Sequence, residues 1–145
     1  MDIEQAQTSA VELFSAGYNC AQAAFVATAP EFGMDEASAI KVSAAFGGGI
    51  ARSGNICGAL SGALMALGLK RAPVETSPEI KAAVYARAQK LIAAFSERCG
   101  AVDCRDLSGC DLSTPEGAAR FASRNVHKTV CENLVRTAIA LVAEA

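Results

Sequence analysis

A chain of 145 residues, 52% apolar and 19% charged, is long enough to bury one sizeable core, so none of its six cysteines is needed to staple the fold. A formal charge of −2 supplies no basic field for nucleic acid, and no Lys/Arg run marks an anionic membrane surface. The start Met1-Asp2-Ile3-Glu4-Gln5 lacks the basic, then apolar, pattern of a signal peptide, and the uncharged run from Ile56 to Leu69 is too short to cross a bilayer. A cytoplasmic chain that spans no membrane is therefore expected.

Alanine dominates, no stretch alternates with a strand period, and caps and breakers mark about six or seven helices in one all-α domain over residues 1–145. The first, about residues 2 to 16, carries Ile3, Ala6, Ala10, Leu13 and Phe14 on one face and stops at Gly17. Asn19 caps the second, which ends before Pro30 and puts Cys20 in its first turn, where free N–H groups and the positive dipole end favour a thiolate. A third runs from Asp35 to Phe46 and meets a flexible corner, Gly47 to Gly54, in which Arg52 is placed to cap carbonyls or bind an anion. Asn55 is then read as capping a glycine- and alanine-rich helix, an apolar rod suited to the centre of a bundle, with Cys57 in its first or second turn and so in the same thiolate-favouring setting as Cys20.

Residues 71 to 78 form the clearest loop, and Ser77-Pro78-Glu79 starts a long helix with Ile80, Val84, Leu91 and Phe95 facing inward up to Gly100. Cys99, Cys104 and Cys110 fall in the irregular stretch that follows, where a free backbone lets sulfurs turn toward a common point. Thr114-Pro115-Glu116 opens a short helix. The last one sets Cys131, Val135, Ala138 and Val142 on its core side, with His127 one turn before Cys131 as a base, proton donor or extra ligand.

Each cysteine taken alone reads as a small buried hydrophobe. The set is harder to dismiss, because a chain without need of disulfides spends six of them. Local motifs leave the chemistry open. There is no Cys-x-x-Cys, no haem-attachment motif, and the spacing of Cys99, Cys104 and Cys110 matches neither zinc knuckles nor a plant-type ferredoxin. The glycine corner lacks the Gly-Lys-Ser/Thr of a phosphate loop and the last glycine of a dinucleotide fingerprint, and Ser61 sits on no nucleophile elbow.

Three ordered segments, Gly17-Tyr18-Asn19-Cys20-Ala21-Gln22, Phe46-Gly47-Gly48-Gly49 and Cys57-Gly58-Ala59-Leu60-Ser61-Gly62, followed by Cys104 and Cys131, resemble the redox-active protein family named for its C_GCAxxG_C_C cysteine pattern. The resemblance implies a small helical protein suspected of redox work, with Cys20, Cys57, Cys104 and Cys131 as the recurrent cysteines and Cys99 and Cys110 as additions. It implies no defined substrate. The expectation is that those four converge to hold an iron–sulfur cluster or to cycle between dithiol and disulfide, with an unidentified redox partner. Cys99, Cys110 and His127 are further candidate ligands. The alternatives are a non-redox module holding zinc or another soft metal, and a helical scaffold with inert cysteines and no cofactor. The apolar helices permit a homodimer without demanding one.

Overall fold

Side chains of Asp2, Asn19, Asp35, Ser77 and Thr114 each accept a hydrogen bond from the backbone N–H three residues on, and these caps set five helix starts. The computed structural model describes residues 1–145. Its α-helices are α1 (Ile3–Ser15), α2 (Cys20–Val26), α3 (Glu36–Ser43), α4 (Gly58–Arg71), α5 (Pro78–Cys99), α6 (Cys104–Ser108), α7 (Pro115–Ser123) and α8 (Glu132–Glu144). A 3-10 turn at Ala29–Phe32 and a π turn at His127–Cys131 complete them. There is no sheet, only an isolated antiparallel bridge between Ile56 and Asp103. No helix is long and apolar enough to cross a membrane.

The all-α reading holds, but the helices number eight rather than six or seven. The extra one, α6, lies in the stretch read as irregular, and its five residues are too few to leave a periodic signal. Cys99 is the last residue of α5, not part of a loop. Along α5 only Leu91 and Phe95 are buried, whereas Ile80 and Val84 are half-buried because that end of the helix runs past the core.

Helix α4 is the central element, covered by α2, α8 and α5, while α1 closes the opposite side of α2 and α8. Its Ala59, Leu60, Gly62, Ala63, Ala66 and Leu67 are buried. Close approach of α2 depends on two glycines. A Cβ at Gly62 would lie 2.8 Å from the Ala21 carbonyl oxygen, and one at Gly58 would overlap the Cys20 sulfur and stand 2.9 Å from the Phe46 carbonyl oxygen.

Helix α3 ends at Ser43, short of the expected Phe46, because the corner after it has its own geometry. Residues 48 to 52 all have positive φ, between 48° and 71°, a left-handed turn that includes Ile50, Ala51 and Arg52. It is closed by the Ala51 N–H on the Ala45 carbonyl at 2.8 Å, Arg52 on Gly47 at 3.2 Å and Asn55 on Gly49 at 3.0 Å. The corner is thus ordered, not flexible. Left-handed backbone costs an L-residue about 1–2 kcal/mol, partly offset in a Gly replacement by unfolded-state entropy. Ala51→Gly, at an exposed position, should therefore stabilise the chain by about 0.5–1 kcal/mol in urea unfolding. A loss of stability would show that the turn is not left-handed in solution.

Candidate thiol centre

Four segments distant in sequence bring Cys20, Cys57, Cys104 and Cys131 to the wall of one cavity of about 20 Å³, completed by Gly58, Leu107, Ser108 and Leu134. Cys20 opens α2 directly after Asn19. That residue is held by a reciprocal capping box with Gln22 and by donation from its Nδ2 to the Ala44 carbonyl at 2.9 Å. Cys57 and Cys104 are clamped to each other's strands of chain. The Cys57 N–H donates to the Val102 carbonyl at 2.8 Å, and the Cys104 N–H to the Asn55 carbonyl at 2.7 Å. Asn55 therefore does not cap α4 as expected, and Cys57 itself occupies the cap position without a side-chain hydrogen bond. Cys131 ends the π turn, in which the Glu132 N–H reaches five residues back to the His127 carbonyl.

Cys20 is the hub of the set. A charge on it would raise the pKa of Cys57, of Cys104 and of Cys131, and its own sulfur rests on Gly58, the residue after Cys57. Backbone amides of Gly48, Ala21 and Ala59 are directed at that sulfur. Cys20, Cys104 and Cys131 also face the other way, into an open cleft of about 620 Å³ that His127 lines with Phe14, Tyr18 and Arg52. Only Cys57 is sealed off, at 5% exposure. The thiols thus form the partition between a closed cavity and an open cleft.

The expectation of low-pKa thiolates at Cys20 and Cys57 is corrected by burial. Desolvation pushes the Cys20 thiol up despite its amide neighbours, and it likewise pushes Cys57 up, with Cys20 adding to the shift. Cys104 is likewise raised, and Cys131 is pushed up to about 12 from an ordinary value of 9.0, first by desolvation and then by Cys20, Cys104 and Cys110. Four like charges in a dry space oppose one another, so the centre rests as neutral thiols. The folded Cys131 keeps a proton that the unfolded chain releases above about pH 9. Its contribution to stability is therefore complete below that pH and is lost as pH rises toward about 12. Thermal melts of the reduced, metal-free protein should be flat from pH 6 to 8 and fall above about 9, and Cys131→Ser should shallow that fall.

The remaining candidates divide. Cys110, at 2% exposure, lies within charge range of Cys104 and Cys131, although it lines neither the cavity nor the cleft. The Ser108 hydroxyl bridges this neighbourhood, standing beside the Cys104 thiol and accepting from the Cys110 N–H at 3.1 Å. Cys99 lies apart, against Thr137 in a separate surface depression. His127 is stacked on Phe14 with ring centroids 3.5 Å apart, fixed in the cleft wall. Ser108 and the aromatic wall of Phe14, Tyr18 and Phe121 were not legible as site residues, because each reads along the chain as an ordinary polar or core position.

All six cysteines are free thiols. Four cysteines are the donor set an iron–sulfur cluster takes. The closed cavity is too small for one: about 20 Å³ holds one water-sized atom, even the smallest common cluster core has two irons and two sulfides, and the larger cleft is lined by only three of the four cysteines, without Cys57. Nor are any three His, Cys, Asp or Glu side chains disposed to hold a metal ion, so the side chains as arranged fit neither a cluster nor zinc.

Among known proteins, an "Uncharacterized protein" of Archaeoglobus fulgidus is 32% identical over 115 residues, covering 74% of this chain and 76% of its own length. No solved structure matches. Residues 18–145 match the family model described as "Putative redox-active protein (C_GCAxxG_C_C)". Where that name writes GCAxxG, this chain reads Cys57-Gly58-Ala59-Leu60-Ser61-Gly62, with cysteine ahead of the glycine that seats the Cys20 sulfur. With four cysteines gathered on one cavity and the match running from Tyr18 to the end of the chain, the chain belongs to the C_GCAxxG_C_C family.

Proposed function

We propose that this protein is a thiol redox carrier in which Cys20 forms a reversible disulfide with Cys57, Cys104 or Cys131. One observation carries the reading: four thiols share one cavity, and three of them are reachable from an open cleft. Closing the disulfide joins two sulfurs and releases two protons and two electrons. The electrons pass to an external disulfide, which is reduced to two thiols. Attack requires a thiolate, and the His127 imidazole in the cleft wall is the group placed to accept the proton.

The raised thiols bear on the potential. Strongly oxidising centres owe that character to a stabilised thiolate in the reduced form, which burial removes here. The couple should therefore lie at or below about −230 mV, toward the reducing end of thiol proteins.

The test is metal and sulfide analysis of protein purified without oxygen, followed by thiol counting in dithiothreitol redox buffers. Metal-free protein that loses one pair of thiols on oxidation supports the carrier. Stoichiometric iron and sulfide would overturn it in favour of a cluster, zinc would do so in favour of a metal module, and thiols that resist oxidation would leave a scaffold with inert cysteines.

A further inference from the structure

The cleft has a charge pattern that the rest of the molecule lacks. The chain carries 15 acidic against 13 basic residues, yet no carboxylate lines the cleft, whose only charged or titratable side chains besides the three cysteines and Tyr18 are Arg52 and His127. The chain's two ion pairs are Met1 amino group with Glu31 and Arg98 with Glu144, so Arg52 has no carboxylate partner, and its guanidinium donates no hydrogen bond within the chain. It is nevertheless held at the rim by the left-handed turn, with φ of 63°. The same cleft is lined by the apolar and aromatic side chains of Phe121 and Leu112 and by the Phe14–His127 stack. At about 620 Å³ the cleft is sized for a small molecule, not for a protein loop and its flanks.

We propose that the cleft binds the centre's redox partner and that this partner is a small disulfide, or the thiol formed from it, bearing a carboxylate that Arg52 recognises. The inference rests on the thiol-carrier reading and names its co-substrate. A thiolate from Cys20, Cys104 or Cys131 attacks one sulfur of the bound disulfide, forming a mixed disulfide and expelling one small thiolate. A second cysteine then attacks the protein sulfur, closing the internal disulfide and expelling the other. Two thiols of the protein are oxidised and one external disulfide is reduced. A carboxylate on the partner meets an unpaired guanidinium, while its body lies on the aromatic wall.

The experiment uses the reduced full chain carrying Cys99→Ser, which removes the thiol outside the centre. Three disulfides are compared, each scaled to its rate with a free small thiol: dianionic 5,5′-dithiobis(2-nitrobenzoate), neutral 4,4′-dithiodipyridine and dicationic cystamine. Arg52→Gln should slow the dianion about three- to tenfold, leave the neutral reagent within about twofold, and abolish a preference that also fades as salt is raised. Equal effects on all three reagents, or none on the dianion, would overturn the anion site. With one equivalent of reagent, release of two aryl thiolates per reagent molecule consumed reports the internal disulfide separately. An Arg52-dependent preference without that second release would sink the carrier and spare the anion site. Second release without the preference would do the reverse, and a native chain that reacts with none of the three would sink both.

Discussion

Cys20→Ser should abolish formation of the internal disulfide, from a full pair of thiols lost on oxidation to none, while Cys99→Ser leaves it intact. The difference follows from position. Cys20, like Cys104, stands within charge range of the other three cavity cysteines and faces both the cavity and the cleft, and in addition its sulfur rests against Gly58 on the backbone of α4. Cys99 touches Thr137 and lines a different depression. Cys57→Ser should have a weaker effect, since Cys20 retains Cys104 and Cys131 as partners. Serine preserves the shape of the site to within one atom's size, so α2 and α4 should remain packed at a cost of about 1 kcal/mol. Mass counting of alkylated thiols before and after oxidation reads the result. A Cys20→Ser protein that still loses a pair of thiols would transfer the hub to Cys104 and Cys131, with Cys110 as their neighbour.

Two glycines of α4 should answer alanine with opposite signs. At Gly68 nothing lies within 4 Å of an added Cβ, so Gly68→Ala removes backbone freedom from the unfolded chain and should stabilise by about 0.5–1 kcal/mol. At Gly58 the same methyl overlaps the Cys20 sulfur and stands 2.9 Å from the Phe46 oxygen and 3.1 Å from the Ala21 nitrogen. Backbone on two sides leaves no soft direction for escape. Gly58→Ala should therefore destabilise by about 1–3 kcal/mol and displace Cys20, costing redox activity even where the chain stays folded. Urea unfolding of the two variants against the parent measures both, and a Gly58→Ala protein of parental stability would mean that α2 does not lie on α4 as described.

Much of the architecture could be read along the chain because its signals are local. Asn19, Asp35, Ser77 and Thr114 announce their helices by side-chain chemistry alone, and the small residues of α4 announce a helix that others press against. What could not be read depends on contacts between segments. Asn55 looks like a cap, but the chain around Asp103 claims its backbone first. The charge state of Cys20 escapes the sequence for the same reason: the amides at a helix start are visible in sequence, while the apolar mass that outweighs them is not. Ile50, Ala51 and Arg52 carry no mark of left-handed backbone, since L-residues adopt it only when surrounding hydrogen bonds impose it. Cys104 and Cys110 read along the chain as loop residues, whereas Cys104 begins a helix whose partner is the segment before α4.

The π turn from His127 to Cys131 makes chain length itself a functional quantity. Each residue of a regular helix turns the chain by about 100°, and a π turn accommodates one residue more than the α-helix it interrupts. Deleting Thr129, an exposed residue, would let the ladder of α8 continue unbroken through Val126. The helix would gain regularity, and everything before the deletion would swing round relative to Cys131, parting His127 from the sulfur it shares a cleft with. A chain one residue shorter would be the better helix and the poorer carrier.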